Sequence, residues 1–248
     1  NSSERIAAGL FYELTQIASG GHCCIPEAML ADRAAQRLGV ARTEVMEIIS
    51  REVKMSRLYA VDEMGERLIY APQLYKAEAE TARLLRMLQR KADHIHVHDT
   101  AALVTAWEAE HRVSLAAAQR EAVIAALEHG VLVLTGGPGT GKTTVVRSMI
   151  DILGAQGLEI LLAAPTGRAA KRLAEATGYP AATVHRMLEA QGREDGEMRF
   201  ARDAETQLEV DVIIVDEVSM MDIVLMQHLL TAVLPGAHLI LVGDVDQL

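Results

Sequence analysis

Apolar residues recur at helical spacing through the first third of the chain and then gather into short continuous runs. Ile6, Leu10, Leu14 and Ile17 fall on one face of a helix over 4–18. Pro26 opens a second helix at about 27–38, which Gly39 ends. Thr43 is placed to cap a third helix, whose stripe is Val45, Ile48 and Ile49. In RLYAVDEMGERLIYAP two β-rich segments meet across Glu63-Met64-Gly65-Glu66, a hairpin signal. Three helices followed by a hairpin is the element order of a winged-helix module. Leu74, Ala77, Thr81, Leu84, Leu85 and Leu88 predict a connecting helix to about Arg90, and a short helix with Trp107 follows over 100–110. Ser114 is placed to cap a helix over 115–129.

From residue 131 the pattern changes. Apolar runs at 131–135, 159–164, 211–215 and 238–242 predict strands. Helical patterns separate them at 142–154, 168–176 and 183–190, with another helix carrying Met226, Leu229, Leu230 and Val233. The stretch 191–207 is polar. Buried strands joined by helical crossovers make a parallel sheet covered on both faces. Ligands of such sheets gather beyond the strand carboxyl ends.

The first strand runs into Gly136-Gly137-Pro138-Gly139-Thr140-Gly141-Lys142-Thr143, followed by Thr144, and matches GxxxxGK[ST] in full. Glycines let backbone N–H groups curl around an anion, and the following helix adds its positive N-terminal end. Lys142 is placed for the β- and γ-phosphates, and the Thr143 hydroxyl for Mg²⁺. The predicted fold class is therefore α/β, a P-loop NTPase sheet preceded by a small, mostly helical, winged-helix-like domain. The expected division is 1–72 for that domain, 73–113 for a helical linker and 114–248 for the ATPase domain.

Other polar clusters stand at predicted strand ends. Val212 to Val215 end in Asp216-Glu217. A carboxylate there is costly unless a cation or hydrogen bonds offset it. Beside a phosphate loop this suits Asp216 to hold Mg²⁺ and Glu217 to orient the attacking water. In AAPTGRAAKRL, Thr166, Gly167 and Arg168 follow a strand, with Lys171 and Arg172 one turn on, a combination suited to phosphodiester contacts. The run LVGDVDQL ends in Gly243-Asp244-Val245-Asp246-Gln247, where an amide could sense a γ-phosphate.

Composition narrows the setting. Of 248 residues half are hydrophobic, 23% are charged and 3% aromatic, which describes a globular chain with an aliphatic core. No apolar run approaches the ~18 residues of a membrane span. Adjacent Cys23 and Cys24 are too few for a disulfide framework and fit a reducing, cytoplasmic setting. The net charge of −10 argues against a surface coated in nucleic-acid-binding charge but leaves room for a local basic groove. On the third helix Glu44, Glu47 and Glu52 offset Arg42, Arg51 and Lys54, which favours a structural or protein-contact role over groove reading. His94, His96 and His98 alternate as a strand-borne metal site would, yet no cysteine lies near and a linker is the simpler reading.

Together TGGPGTGKTT, APTGRAAKRL, TVHRML, IIVDEVSMMD and GDVDQL resemble, in order and spacing, motifs I, Ia, a Ib-like segment, II and III of superfamily 1 helicases of the RecD-like group. The part before the phosphate loop is similar to the domain preceding the motor in members with a long N-terminal extension. The resemblance implies a RecA-like first motor domain of an ATP-dependent helicase that moves 5′ to 3′ on single-stranded DNA in recombination and repair. It assigns Lys142 and Thr143 to phosphate and Mg²⁺, Asp216 to the metal, Glu217 to water and Gln247 to γ-phosphate. Gln119 corresponds to the adenine-contacting glutamine, and Thr166, Arg168 and His185 to the DNA track. ATP and Mg²⁺ are the implied cofactors. Single-stranded DNA is the implied partner, with RecB- and RecC-like subunits or a single-strand binding protein as further candidates. The sequence stops at Leu248, inside motif III, so the expectation is a fragment that lacks the second motor domain and unwinds nothing alone. Two alternatives stand beside this reading: a P-loop ATPase of another class with a winged-helix partner-binding domain, and a non-catalytic scaffold.

Overall fold

A computed structural model describes residues 3–90, 98–137, 139–192 and 198–244. The chain divides into two compact units, Asn1–Ala82 with Asp222–Gln227, and Arg83–Met221 with His228–Leu248.

The first unit begins with helix α1 (Ser3–Ser19), strand β1 (Cys24–Pro26), α2 (Glu27–Leu38) and α3 (Arg42–Lys54). The hairpin β2 (Tyr59–Glu63) and β3 (Glu66–Tyr70) follows, then α4 (Pro72–Arg90). The predicted stripes close one core: Ile6, Leu10, Leu14 and Ile17 meet Leu30, Ala31 and Ala34, with Val45 and Ile49 completing it. A Cβ on Gly9 would lie 2.7 Å from Leu38 Cδ1, so glycine there allows α1 and α2 their close approach. Met64 and Gly65 both have positive φ, which makes the tight two-residue turn that matches strand twist. β1, which the periodicity does not reveal, pairs antiparallel with β3 and gives the sheet order β1-β3-β2. The order helix, strand, two helices, hairpin is winged-helix-like, as expected. The third helix starts at Arg42 after Ala41, with no side-chain cap, so Thr43 does not serve as one.

On α3 the carboxylate of Glu52 is fully buried and takes Arg51 Nη2 at 3.0 Å and Arg57 Nε at 2.7 Å. Arg42 pairs with Asp32 at 2.7 Å. The helix therefore directs much of its positive charge to neighbouring acids rather than outward. Removing both Arg51 and Arg57 leaves a buried, unpaired carboxylate and is expected to destabilise the protein by about 3–5 kcal/mol. Glu52→Gln is expected to cost much less, because the freed guanidiniums can turn to water. Urea denaturation of the two variants checks the order.

The second unit takes in the end of α4 from Arg83, then α5 (Thr100–His111) and α6 (Ala117–Glu128). It continues through β4 (Val131–Thr135), α7 (Lys142–Ala155), β5 (Ile160–Ala164), α8 (Gly167–Thr177), β6 (Ala181–Thr183) and the single turn α9 (Val184–Met187). The hairpin β7 (Ala190–Gly192) and β8 (Met198–Phe200) precedes β9 (Val212–Val215), a 3-10 turn (Val218–Met220), α10 (Ile223–Ala232), whose residues to Gln227 count with the first unit, and β10 (His238–Gly243). Five strands pair in parallel in the order β4-β10-β9-β5-β6. β9 is buried along its whole length, as a central parallel strand must be. Val145, Val146, Met149, Ile150 and Leu153 of α7 pack into the core with Val123 and Leu127 of α6. Trp107 Nε1 donates to Asp151 Oδ2 at 3.0 Å and Tyr179 OH to Oδ1 at 3.2 Å, which ties α5 and the segment after α8 to α7.

Three local readings change. The helix led by Ser114 starts at Ala117, and Gln119 Oε1 accepts from the Ala116 N–H at 2.9 Å. The helix expected over 183–190 shrinks to one turn. Gly178 (φ +79) ends α8, and Pro180 favours extended chain before it, which delivers Ala181–Thr183 alongside β5. Thr183 then caps α9, and Glu189 turns left-handed (φ +53) just beyond it. Finally, the polar stretch 191–207 contains one strand of a hairpin, β8, and part of the other.

Candidate active site

Parallel register brings the suspect clusters to one edge of the sheet. Val215 sits beside Ala163 on one side and Leu241 on the other, while Val242 sits beside Leu134. The phosphate loop leaves β4, Asp216-Glu217 leave β9, and Thr166 follows β5, so each lies past a strand carboxyl end.

The loop is held by its own side chains. Thr140 Oγ1 donates to Gly137 O at 2.8 Å, and Lys142 Nζ donates to Gly136 O and, at 3.1 Å, to Gly137 O. Gly141 (φ +84) turns the chain into α7, whose helical bonding starts with Val145 N–H to Gly141 O at 3.1 Å. A side chain at that position would be conformationally strained and would meet Gln119 Nε2 at 2.5 Å. Gln119 Nε2 donates to Thr140 O at 2.8 Å while Oε1 holds Ala116 N–H. Both amide atoms retain a second hydrogen-bonding capacity.

Lys142, Thr143, Val146, Arg172, Asp216 and Glu217 share the walls of a cleft of about 500 Å³. Burial pushes the Asp216 carboxyl above its ordinary value, and the Glu217 charge adds to this. The Glu217 N–H, 2.9 Å from Asp216 Oδ1, and the nearby Lys142 and Arg172 pull the other way without offsetting it. Glu217 is left-handed (φ +56, ψ +40), a strain of about 1–3 kcal/mol for a non-glycine residue that recurs at functional sites. Its carboxylate also lies 3.5 Å from Arg172 Nη2.

A raised carboxyl pKa favours folding below the ordinary carboxylate range. That contribution is lost as pH rises through the raised value. At neutral pH the Asp216 charge therefore opposes folding. Asp216→Asn is expected to raise the melting temperature of the nucleotide-free protein at pH 7, an advantage that shrinks as pH falls through the raised value and is gone below the ordinary carboxylate value of about 4. Calorimetry across pH checks it.

The remaining candidates fall in two places. Thr166 is the N-cap of α8, accepting from Ala169 N–H at 3.2 Å, and Arg168 is exposed on the first turn. His185 follows β6, with its ring 6.0 Å from that of Phe200, which is in turn 4.6 Å from His228. Gly136, Gly137, Gly139 and Thr140 form the loop as read, and Thr144 lies on the first turn of α7. Pro138 and Gln247 lie outside the described residues, as do His94 and His96, while His98 is exposed. Among the described residues no group of three or more His, Cys, Asp or Glu could hold a metal ion, and no helix is long and apolar enough to cross a membrane. The Arg172–Glu217 pair and the double use of Gln119 escaped the sequence reading. The only hint was that Arg172 repeats Arg168 four residues on, on the same helix face.

Comparison with known proteins gives the family. The AAA domain family matches residues 119–248. This chain belongs to that family. The matched stretch includes Gly136 to Thr143. The chain is 37% identical to the ATP-dependent RecD2 DNA helicase of Deinococcus radiodurans over 98% of its own length and 34% of the relative's. It is 46% identical to the RecBCD enzyme subunit RecD of Mycobacterium tuberculosis over 52% of its length and 26% of the relative's. For the RecD subunit of Haemophilus influenzae the figures are 36%, 52% and 24%. The chain thus spans about a third or less of these relatives. The RecD-like resemblance read from the motifs holds for the AAA domain and, through the Deinococcus helicase, for the helical unit before it.

Proposed function

We propose that the chain forms the N-terminal domain and first motor domain of an ATP-dependent, RecD-like DNA helicase moving 5′ to 3′ on single-stranded DNA in recombination and repair. The observation that carries this is the convergence of the phosphate loop and Asp216-Glu217 on one cleft, with Thr166 and Arg168 at the same sheet edge. Thr143 hydroxyl and Asp216 carboxylate are hard oxygen donors few in number, which suits Mg²⁺ completed by water and phosphate. Asp216, whose buried carboxylate the nearby Lys142 and Arg172 do not fully offset, fits the same role. When bound, Mg²⁺ neutralises charge on the β- and γ-phosphates.

In this reading the N–H groups of Gly139 to Thr143 and the α7 N-terminus receive the phosphates, and Lys142 exchanges loop carbonyls for phosphate oxygens. Glu217 orients the attacking water. Gln119 takes the adenine edge with its remaining amide capacity, and Gln247 senses the γ-phosphate. Thr166, Arg168 and His185 face the DNA backbone. The free thiols Cys23 and Cys24 suit a cytoplasmic setting. The Deinococcus helicase aligns with both units and the two RecD subunits with about half the chain. This favours a stand-alone helicase over a subunit held by RecB- and RecC-like partners. The charge pairing on α3 points its N-terminal unit towards protein contact, with a single-strand binding protein as one candidate.

The test is unwinding by the full-length protein of duplexes with 5′ or 3′ single-stranded tails, with ATP and Mg²⁺. Opening of the 5′-tailed substrate alone supports the reading. Opening of neither, or of the 3′-tailed one alone, overturns it.

A further inference from the structure

Arg172 stands where two halves of the chemistry meet. Its guanidinium lies 3.5 Å from Glu217 Oε1, and both residues line the cleft with Lys142 and Thr143. The side chain is 64% exposed, so anions in solvent can reach it, whereas that of Glu217 is 22% exposed. Arg172 also shares a face of α8 with Arg168, four residues earlier, on the helix whose start Thr166 caps. The contact exists because β5 and β9 are neighbours: pairing of Ala163 with Val215 sets the start of α8 beside Asp216-Glu217.

A carboxylate that orients a water needs open lone pairs, and a guanidinium against Oε1 occupies part of that capacity. The same guanidinium binds phosphate as two parallel hydrogen bonds, a geometry at least as good as its single contact to Glu217. We propose that Arg172 is a positioning residue that restrains Glu217 until a phosphodiester of single-stranded DNA draws the guanidinium away. The exchange links DNA binding to the onset of ATP hydrolysis. It rests on the helicase reading above and adds a regulatory step to that site.

The test is steady-state ATP hydrolysis by the full-length protein, with Mg²⁺, with and without oligothymidylate. Arg172→Ala is expected to raise the DNA-free kcat by about two- to fivefold, the shift an exposed ion pair can hold. Stimulation by oligothymidylate falls by a similar factor, while KM for ATP stays within about twofold. Arg172→Lys keeps a cation against Glu217 and retains most of the stimulation. The proposal is overturned if Arg172→Ala lowers both rates in parallel, if it leaves the stimulation ratio unchanged, or if the lysine variant behaves as the alanine one. Wild-type protein that hydrolyses ATP with DNA stimulation while Arg172→Ala keeps the same ratio sinks this step alone. Wild-type protein without any ATP turnover sinks the helicase reading and this step together.

Discussion

Lys142→Ala is expected to lower ATP turnover by the full-length protein by about 10²–10³-fold, the effect of removing one preorganised donor aimed at developing negative charge. Lys142 is held over the loop by Gly136 O and Gly137 O, contacts it gives up for phosphate oxygens without leaving the loop. Its side chain packs into no core cluster, and the melting temperature of the nucleotide-free variant should stay close to wild type. Nucleotide affinity should fall as well, because lysine contacts phosphate in the ground state and the transition state alike. Equilibrium titration with ATP alongside turnover separates the two. Unchanged turnover would remove the phosphate loop from the chemistry and favour the scaffold alternative.

Glu217→Gln should behave differently. An amide keeps the size and the left-handed backbone of Glu217 but cannot accept a proton from water, so kcat is expected to drop by about 10²–10⁴-fold. ATP affinity should change little, since the phosphate contacts assigned to Lys142 and the loop N–H groups are untouched. The contrast between loss of binding at Lys142 and loss of chemistry at Glu217 is a stringent check on the two roles. Equal loss of affinity in both variants would make Glu217 a binding residue instead.

Much of this site was readable because its chemistry is local in sequence. Gly136 to Thr143 carry strand, loop and helix in one stretch, and Val212 to Val215 announce a buried strand that ends in acid. What escaped depends on pairing between distant elements. β1 and β6 are three residues long, too short for any period, and exist only because β3 and β5 accept them. The caps assigned to Thr43 and Ser114 failed: each is the one small polar residue near its helix start, but the helices begin after Ala41 and Ala116 without a side-chain cap from either. Thr166 and Thr183, each following a strand that fixes the entry of the chain, do cap their helices. Arg172 read as one more basic residue on α8. Its partner Glu217 lies beyond four further strands in sequence, and adjacency of β5 and β9 is what joins them.

The most direct measurement is ATP hydrolysis by the full-length protein as a function of Mg²⁺ and of single-stranded DNA. Turnover that requires Mg²⁺ and rises when single-stranded DNA is added is the predicted result. Mg²⁺-dependent turnover indifferent to DNA, or no turnover at all, would contradict a DNA-driven motor built on Lys142, Asp216 and Glu217.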